Sequence, residues 1–206
     1  MPRIEPLAAP YPPQIQGHFD AVMKGARPLV LFTTIATSER AWGKFRAGSL
    51  LDGRVLSLRE REIVIDRACA RSGCEYEWGV HVAAFAAAAT LTRAEIAATL
   101  EVPLERSKWP AREAALIATV DALHERAKLS DAEFAELKAH FDDEQIQEVL
   151  LLCGFYRTVA YIVGGLDIPL ETTGARFADY AGRRAAHASP TAGGGRSRSR
   201  RGGRRI

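Results

Sequence analysis

The run Arg71-Ser72-Gly73-Cys74-Glu75-Tyr76-Glu77-Trp78-Gly79-Val80-His81 decides how the chain is to be read. Ser72 followed three residues later by Glu75 has the form of a capping box, which predicts a helix starting just after Ser72. Cys74 then falls in the first turn, where free backbone N–H groups and the helix dipole favour a thiolate. At about 100° per residue, Cys74, Glu77, Trp78, His81 and Phe85 lie on one side of that helix. A thiol, an acid and an imidazole on one stripe are the components of proton transfer or thiol chemistry.

Upstream, Ser57-Leu58-Arg59-Glu60 is a second capping box, opening a helix that runs through Ala70 and stops at Gly73. On it Glu62, Asp66 and Cys69 share a face. The Ser72–Gly73 break is short, so the two helices should pack as a hairpin and bring Glu62 towards the Cys74/His81 stripe. The second helix is expected to reach Ala89, and its alanine-rich end, Ala83 to Ala89, suggests close helix–helix contact. Towards the N-terminus, helical spacing is visible in Ile15, Phe19, Val22 and Met23, in Leu29 to Ala36, and around Trp42 and Phe45. Downstream, Thr92-Arg93-Ala94-Glu95 is a third capping box. Helices are then expected over Pro110–Lys128, over Ser130–His140, and from Asp142-Asp143 to about Gly164-Gly165. No alternating run or Asn-Gly hairpin marks a strand, so the fold class is all-α.

The 206 residues suit one compact domain, and a hydrophobic fraction of 47% supports a buried core. No apolar run approaches the roughly 18 residues of a membrane span, and Met1-Pro2-Arg3-Ile4-Glu5-Pro6 lacks the apolar stretch of a secretory signal. Three cysteines do not suggest a disulfide scaffold. A cytoplasmic protein without a membrane partner is the expectation. Residues 1–13, with five prolines, read as an extended arm on the surface or on a neighbouring subunit. Residues 183–206 hold eight arginines and no acid, leaving 20 basic against 25 acidic residues in 1–182. The domain is therefore 1–182, mildly acidic. The segment 183–206 reads as a disordered Arg/Gly/Ser-rich tail, either solvated or binding nucleic acid through phosphate contacts.

The pair Leu58-Arg59-Glu60-Arg61-Glu62-Ile63-Val64-Ile65 and Gly73-Cys74-Glu75-Tyr76-Glu77-Trp78-Gly79-Val80-His81 resembles the carboxymuconolactone decarboxylase / alkylhydroperoxidase D superfamily. Its pattern is a Glu, a Cys about a dozen residues on and a His seven beyond, matched by Glu62, Cys74 and His81. Pro2-Arg3-Ile4 to Pro13, Leu31-Phe32, Leu123-His124 and Gly154-Phe155-Tyr156 extend the likeness over about residues 1–178. The resemblance implies a helical bundle built around the hairpin, a homotrimer or homohexamer, and a site near subunit interfaces. Peroxidase members use a Cys-x-x-Cys pair, with Glu and His relaying the proton that activates the thiol. Here Glu77 stands where the second cysteine belongs, and Cys69 is the substitute resolving thiol to consider. Decarboxylase members lack the pair and protonate the carbon that loses carbon dioxide, a task that Glu77 and His81 at i and i+4 would suit.

Each of these residues also has a plainer reading. Cys74 could be a small buried residue at a helix start, His81 a satisfied core histidine, and Glu62 a surface acid beside Arg59 or Arg61. Glu77 could merely orient His81 or pair with an arginine. Tyr76 and Trp78 are core or interface aromatics that could line a substrate pocket, and Cys69 and Cys153 are packing residues. Cys74, Glu77 and His81 lack a fourth ligand for a metal, and no cofactor is expected. The leading expectation is acid–base chemistry on a small carboxylated or lactone-type molecule, with Glu62, Cys74, Glu77 and His81 catalytic. The alternatives are a peroxiredoxin-like thiol peroxidase with a single active-site cysteine, and a non-catalytic oligomeric binding protein with a nucleic-acid-binding tail.

Overall fold

The computed structural model describes residues 2–52 and 55–181, so the Arg-rich segment lies outside the described residues. Ten α-helices and a single 3₁₀ turn make up the regular structure, with no strand among the described residues. At the centre α4 (Leu58–Arg71) packs against α5 (Glu75–Phe85), α7 (Ala111–Arg126) and α9 (Asp143–Leu166). The first three helices, α1 (Pro13–Met23), α2 (Val30–Ile35) and α3 (Glu39–Ala47), close one end through an aromatic cluster of Phe19, Phe32, Trp42 and Phe45. Phe155 of α9 joins that cluster against Phe45, 5.2 Å between ring centroids.

Local hydrogen-bond chemistry explains four of the helix starts. Ser57 with Glu60, Thr92 with Glu95, Ser130 with Glu133 and Asp142 with Gln145 form reciprocal capping boxes. They open α4, α6 (Arg93–Ala98), α8 (Asp131–Lys138) and α9, each satisfying N–H groups that would otherwise be orphaned. The box expected at Ser72 and Glu75 does not form. Helix α4 persists to Arg71, so Ser72 becomes its C-cap, and Gly73 takes the left-handed φ of +66° that reverses the chain. The Cys74 N–H then donates to Cys69 O at 2.9 Å, which leaves Cys74 rather than Ser72 as the N-cap of α5. Glu75 turns away, and its Oε1 accepts the backbone N–H of Phe177 at 2.9 Å.

Helix α5 is also shorter than expected. It ends at Phe85 and continues as turns, with Ala83, Ala84, Ala87 and Ala88 exposed while Ala86 and Ala89 are buried. Helix α9 corrects the hydropathy reading in another way: it is long and apolar enough by length and composition to cross a membrane, yet its Val149, Leu152, Tyr156 and Val159 fill the core against α4. The proline-rich arm runs along its own chain, Arg3 donating to Leu166 O at 2.7 Å and Leu7 to Thr33 O at 3.1 Å.

A strap over residues 171–181, ending in the short α10 (Phe177–Tyr180), fastens the outer face of α5. Ala175 N–H donates to Gly79 O at 2.9 Å, and the Trp78 ring meets Phe177 and Tyr180 edge-on. A Cβ built on Gly79 would stand 2.3 Å from Ala175 O, so only glycine admits the strap at this distance. Glu171 anchors the strap's start, its Oε1 taking the Val30 N–H and the Tyr76 hydroxyl proton, each at 2.6 Å.

Candidate functional site

The facing surfaces of α4, α5 and α9 enclose a cluster of charged and polar side chains. Glu62 on α4 is buried, and its carboxylate is held from two sides. Arg61 Nε and Nη2 donate to Oε1 at 3.0 and 2.8 Å, while Oε2 lies 2.7 Å from His81 Nδ1. Arg61 is fixed in turn by Leu51 O at 3.2 Å. His81 Nε2 is 3.1 Å from the Tyr156 hydroxyl and 3.5 Å from Glu77 Oε1. Burial pushes the imidazole towards neutrality, but the hydrogen bonds and charges of Glu62 and Glu77 outweigh it and lift its pKa to about 10. At neutral pH His81 is therefore an imidazolium bridging two carboxylates, with Nδ1–H directed at Glu62.

Two carboxylate atoms in this interior have no hydrogen-bonding partner, Glu77 Oε2 and Asp66 Oδ1. Asp66, one turn along α4 from Glu62, is held well above the usual carboxylate range, mainly by burial and then by the Glu62 charge, with His81 opposing. It stands at the edge of the cluster, where burial disfavours its charged form.

The thiol departs from the sequence expectation. Cys74 does sit at the start of α5, but burial raises its pKa to about 11; the Glu77 backbone N–H beside the sulfur pulls down and the Glu77 charge pushes up again. It is a thiol, not a thiolate, because desolvation outweighs the helix terminus. Cys69 is fully buried and its thiol is pushed far up by burial first, then by Glu77 and Cys74. All three cysteines are free.

The expected stripe on α5 divides. Glu77 and His81 turn inward to α4 and α9, and Phe85 covers the imidazole at 5.2 Å. Trp78 points to the other side, its indole N–H donating to Thr99 Oγ1 at 3.1 Å and its ring enclosed under the strap. It lines neither of the two cavities described below. Tyr76 borders the smaller of them, but its hydroxyl is spent on Glu171 and the Leu31 N–H. That cavity, about 230 Å³, lies on the Cys74 side and is walled by Gly73, Cys74, Tyr76, Val163, Ile168 and Leu170. Among the described residues no three His, Cys, Asp or Glu side chains gather as metal ligands.

Two members of the cluster, Tyr156 and Arg61, escaped the sequence reading, which places Asp66 on the face of Glu62 but gives it no role. Tyr156 is 75 residues from His81, and only the phase of α9, with Val149, Leu152, Val159 and Val163 on the same buried face, hints that it points inward. Arg61 flanks Glu62 on α4, and nothing local distinguishes it from a surface charge.

This arrangement of helices is the alkylhydroperoxidase D-like fold. The chain is similar to the alkylhydroperoxidase AhpD core of an uncharacterized peroxidase-related protein from Ralstonia eutropha JMP134, with TM-score 0.72 and 19% identity over 83% of this chain and 93% of that one. It is similar also to an uncharacterized peroxidase-related protein from Silicibacter sp. TM1040, with TM-score 0.65 and 19% identity over 86% and 92%. The debrominase Bmp8 matches with TM-score 0.69 and 17% identity over 82% and 91%. No curated protein matches the sequence. The sequence model of the Carboxymuconolactone decarboxylase family matches residues 36–121, the span that carries Glu62, Cys74, Glu77 and His81. Over that span the chain is similar to the carboxymuconolactone decarboxylase family, and its helices take the alkylhydroperoxidase D-like fold.

Proposed function

We propose that the protein is an acid–base enzyme acting on a small carboxylated or lactone-type molecule, with proton transfer centred on His81. The observation that carries this reading is the imidazolium held between Glu62 and Glu77 while the neighbouring thiol stays protonated. Arg61 and His81 saturate Glu62, so its role is to keep His81 charged and to fix Nδ1 as the inward nitrogen. Nε2–H, directed at Tyr156 and Glu77, is then the acid. Glu77, with one oxygen unpartnered, is the base that accepts a substrate proton. A substrate would approach from the Cys74 cavity, and Cys74 would contact it as a small uncharged wall. In a decarboxylation the electron pair left by departing carbon dioxide takes the proton of Nε2, directly or through the Tyr156 hydroxyl.

Exchange of carbon-bound hydrogen for deuterium, followed by NMR across a panel of unsaturated lactone acids, tests this. His81→Gln and Glu77→Gln should each lower the rate by about 10²-fold or more, while Cys74→Ser retains most of it. Loss on Cys74→Ser with retention in the other two variants would overturn the assignment.

The thiol peroxidase reading keeps one supporting observation, the Cys74 N–H to Cys69 O bond that sets the two free cysteines side by side at the turn. On that reading the Cys74 sulfur would attack the terminal oxygen of a hydroperoxide, breaking the O–O bond so that the alcohol leaves with the thiol proton and sulfenic acid remains. The Cys69 thiol would then displace water to give a disulfide. Mass analysis of the reduced protein after peroxide distinguishes the two: an unmodified Cys74 excludes the peroxidase.

A further inference from the structure

The larger of the two cavities, about 350 Å³, lies between α4, α7 and α9, and none of Glu62, Cys74, Glu77 or His81 borders it. Its floor is apolar: Ala68, Val120, Leu123, Leu150 and Cys153. Burial lifts the Cys153 thiol to about 12, so that side chain is an uncharged wall. No carboxylate lines the cavity, although the folded domain is acidic.

Three polar groups at the rim, Arg157, Tyr161 and Ser72, are hydrogen-bond donors with capacity to spare. Arg157 places Nη1 2.5 Å from His124 Nδ1 and donates from Nε to the Tyr161 hydroxyl at 2.8 Å, leaving Nη2 without a protein partner among the described residues. The Tyr161 hydroxyl accepts that bond and still has its own proton to give. The Ser72 hydroxyl also borders the cavity. Several other buried or half-buried arginines meet carboxylates: Arg59 with Glu95 and Glu113, Arg67 with Asp121, Arg71 with Asp121 and Glu125, while Arg176 is taken up by the Glu171, Gly174 and Ala175 carbonyls. Arg157 meets a ring nitrogen instead, and burial, followed by the Arg157 and Arg71 charges, holds His124 below the ordinary imidazole range. His124 is thus a neutral acceptor towards Arg157, and the acids nearest it, Asp121 and Glu125, are already paired with Arg67 and Arg71. The guanidinium is fixed in place on two edges while its charge remains uncompensated.

We infer that this cavity is a binding site for a small monocarboxylate with an apolar body, the carboxylate resting on Arg157 and Tyr161 and the body on Val120, Leu123 and Leu150. The site is separate from the His81 cluster, and the inference does not rest on the reaction proposed there. An anion without an apolar body leaves the floor unfilled, and a neutral analogue leaves Arg157 uncompensated.

Titration of the full chain with benzoate, benzamide and acetate, followed by calorimetry and by amide NMR shifts, tests it. Benzoate should bind with shifts at residues of α7 and α9 around the cavity, at least tenfold more tightly than either benzamide or acetate. Arg157→Gln should weaken benzoate about tenfold or more, and Leu150→Trp, which fills the floor and keeps the guanidinium, should weaken it as well. Equal affinity for benzamide, unchanged affinity in Arg157→Gln, or shifts confined to the Cys74 side would each refute the site. So would absence of benzoate binding together with light scattering that shows a second copy of the chain covering α9. Because neither variant touches Glu62, Glu77 or His81, deuterium exchange at the other site continues in both if the two sites are distinct.

Discussion

Replacing Gly79 by alanine tests whether the strap over residues 171–181 holds the helix that carries Glu77 and His81. The added Cβ would lie 2.3 Å from Ala175 O, and ordinary contact begins near 3.4 Å, so the strap must retreat by about 1 Å. The Ala175 N–H to Gly79 O bond lengthens beyond use, a loss of about 1 kcal/mol. The Phe177 N–H to Glu75 bond and the edge contacts of Trp78 with Phe177 and Tyr180 loosen with it, together about 2 kcal/mol more. Against this, alanine is better than glycine inside a helix by roughly 1 kcal/mol. The net expectation is a destabilisation of about 2 kcal/mol, or a fall of about 4–8 °C in Tm for a chain of this size. Urea unfolding followed by tryptophan fluorescence measures it, with Gly164→Ala as the control, because a Cβ there meets nothing within 4 Å. Gly164→Ala should be neutral or slightly stabilising. If Gly79→Ala unfolds at the same urea concentration as the native chain, the strap does not clamp α5 in the way described.

Three further outcomes follow from the charges. His81 has a folded pKa of about 10 against 6.5 for a free histidine side chain, so its contribution is complete below pH 6.5 and is lost as the pH rises through about 10. Imidazole NMR signals should therefore remain those of the charged ring at pH 8, and Glu62→Gln should return titration towards neutrality; a ring that titrates near 6.5 in the native chain contradicts the bridge. Asp66 has the opposite sign of linkage: its folded pKa is raised, so the native state loses stability as the pH climbs past the unfolded value of 3.8. Asp66→Asn should stabilise the protein at pH 7 and confer little at pH 3.5, and thermal melts at the two pH values read the difference directly. Asp121→Asn leaves the fully buried Arg67 without its counter-charge and should cost about 3 kcal/mol. Chemical denaturation showing less than about 1 kcal/mol would mean that the Thr99 and Glu101 carbonyls suffice for Arg67.

Much of the helical plan is decided by groups a few residues apart. A serine or threonine hydroxyl can reach the N–H three positions on without help from distant residues, so the boxes at Ser57 and Thr92 are legible in the sequence alone. The spacing of Glu62, Cys74 and His81 likewise follows from two helices joined by a tight glycine turn, which returns α5 alongside α4. The box at Ser72 fails because a competitor lies outside that local window. The Cys69 carbonyl captures the Cys74 N–H, Gly73 supplies the reversal, and the strap takes the Glu75 carboxylate for Phe177.

Sequence by itself determined the all-helical class, the hairpin and the set of reactive side chains on it, because helical periodicity and capping are local. Only the tertiary structure decided what those side chains are chemically. Burial keeps Cys74 a thiol although it stands at a helix start, and Glu62 and Glu77 make His81 a cation although burial alone would discharge it. Tyr156 and the strap reach the site from 75 or more residues away. Protonation depends on desolvation and on charges brought together across the chain, and neither is defined until the helices have packed.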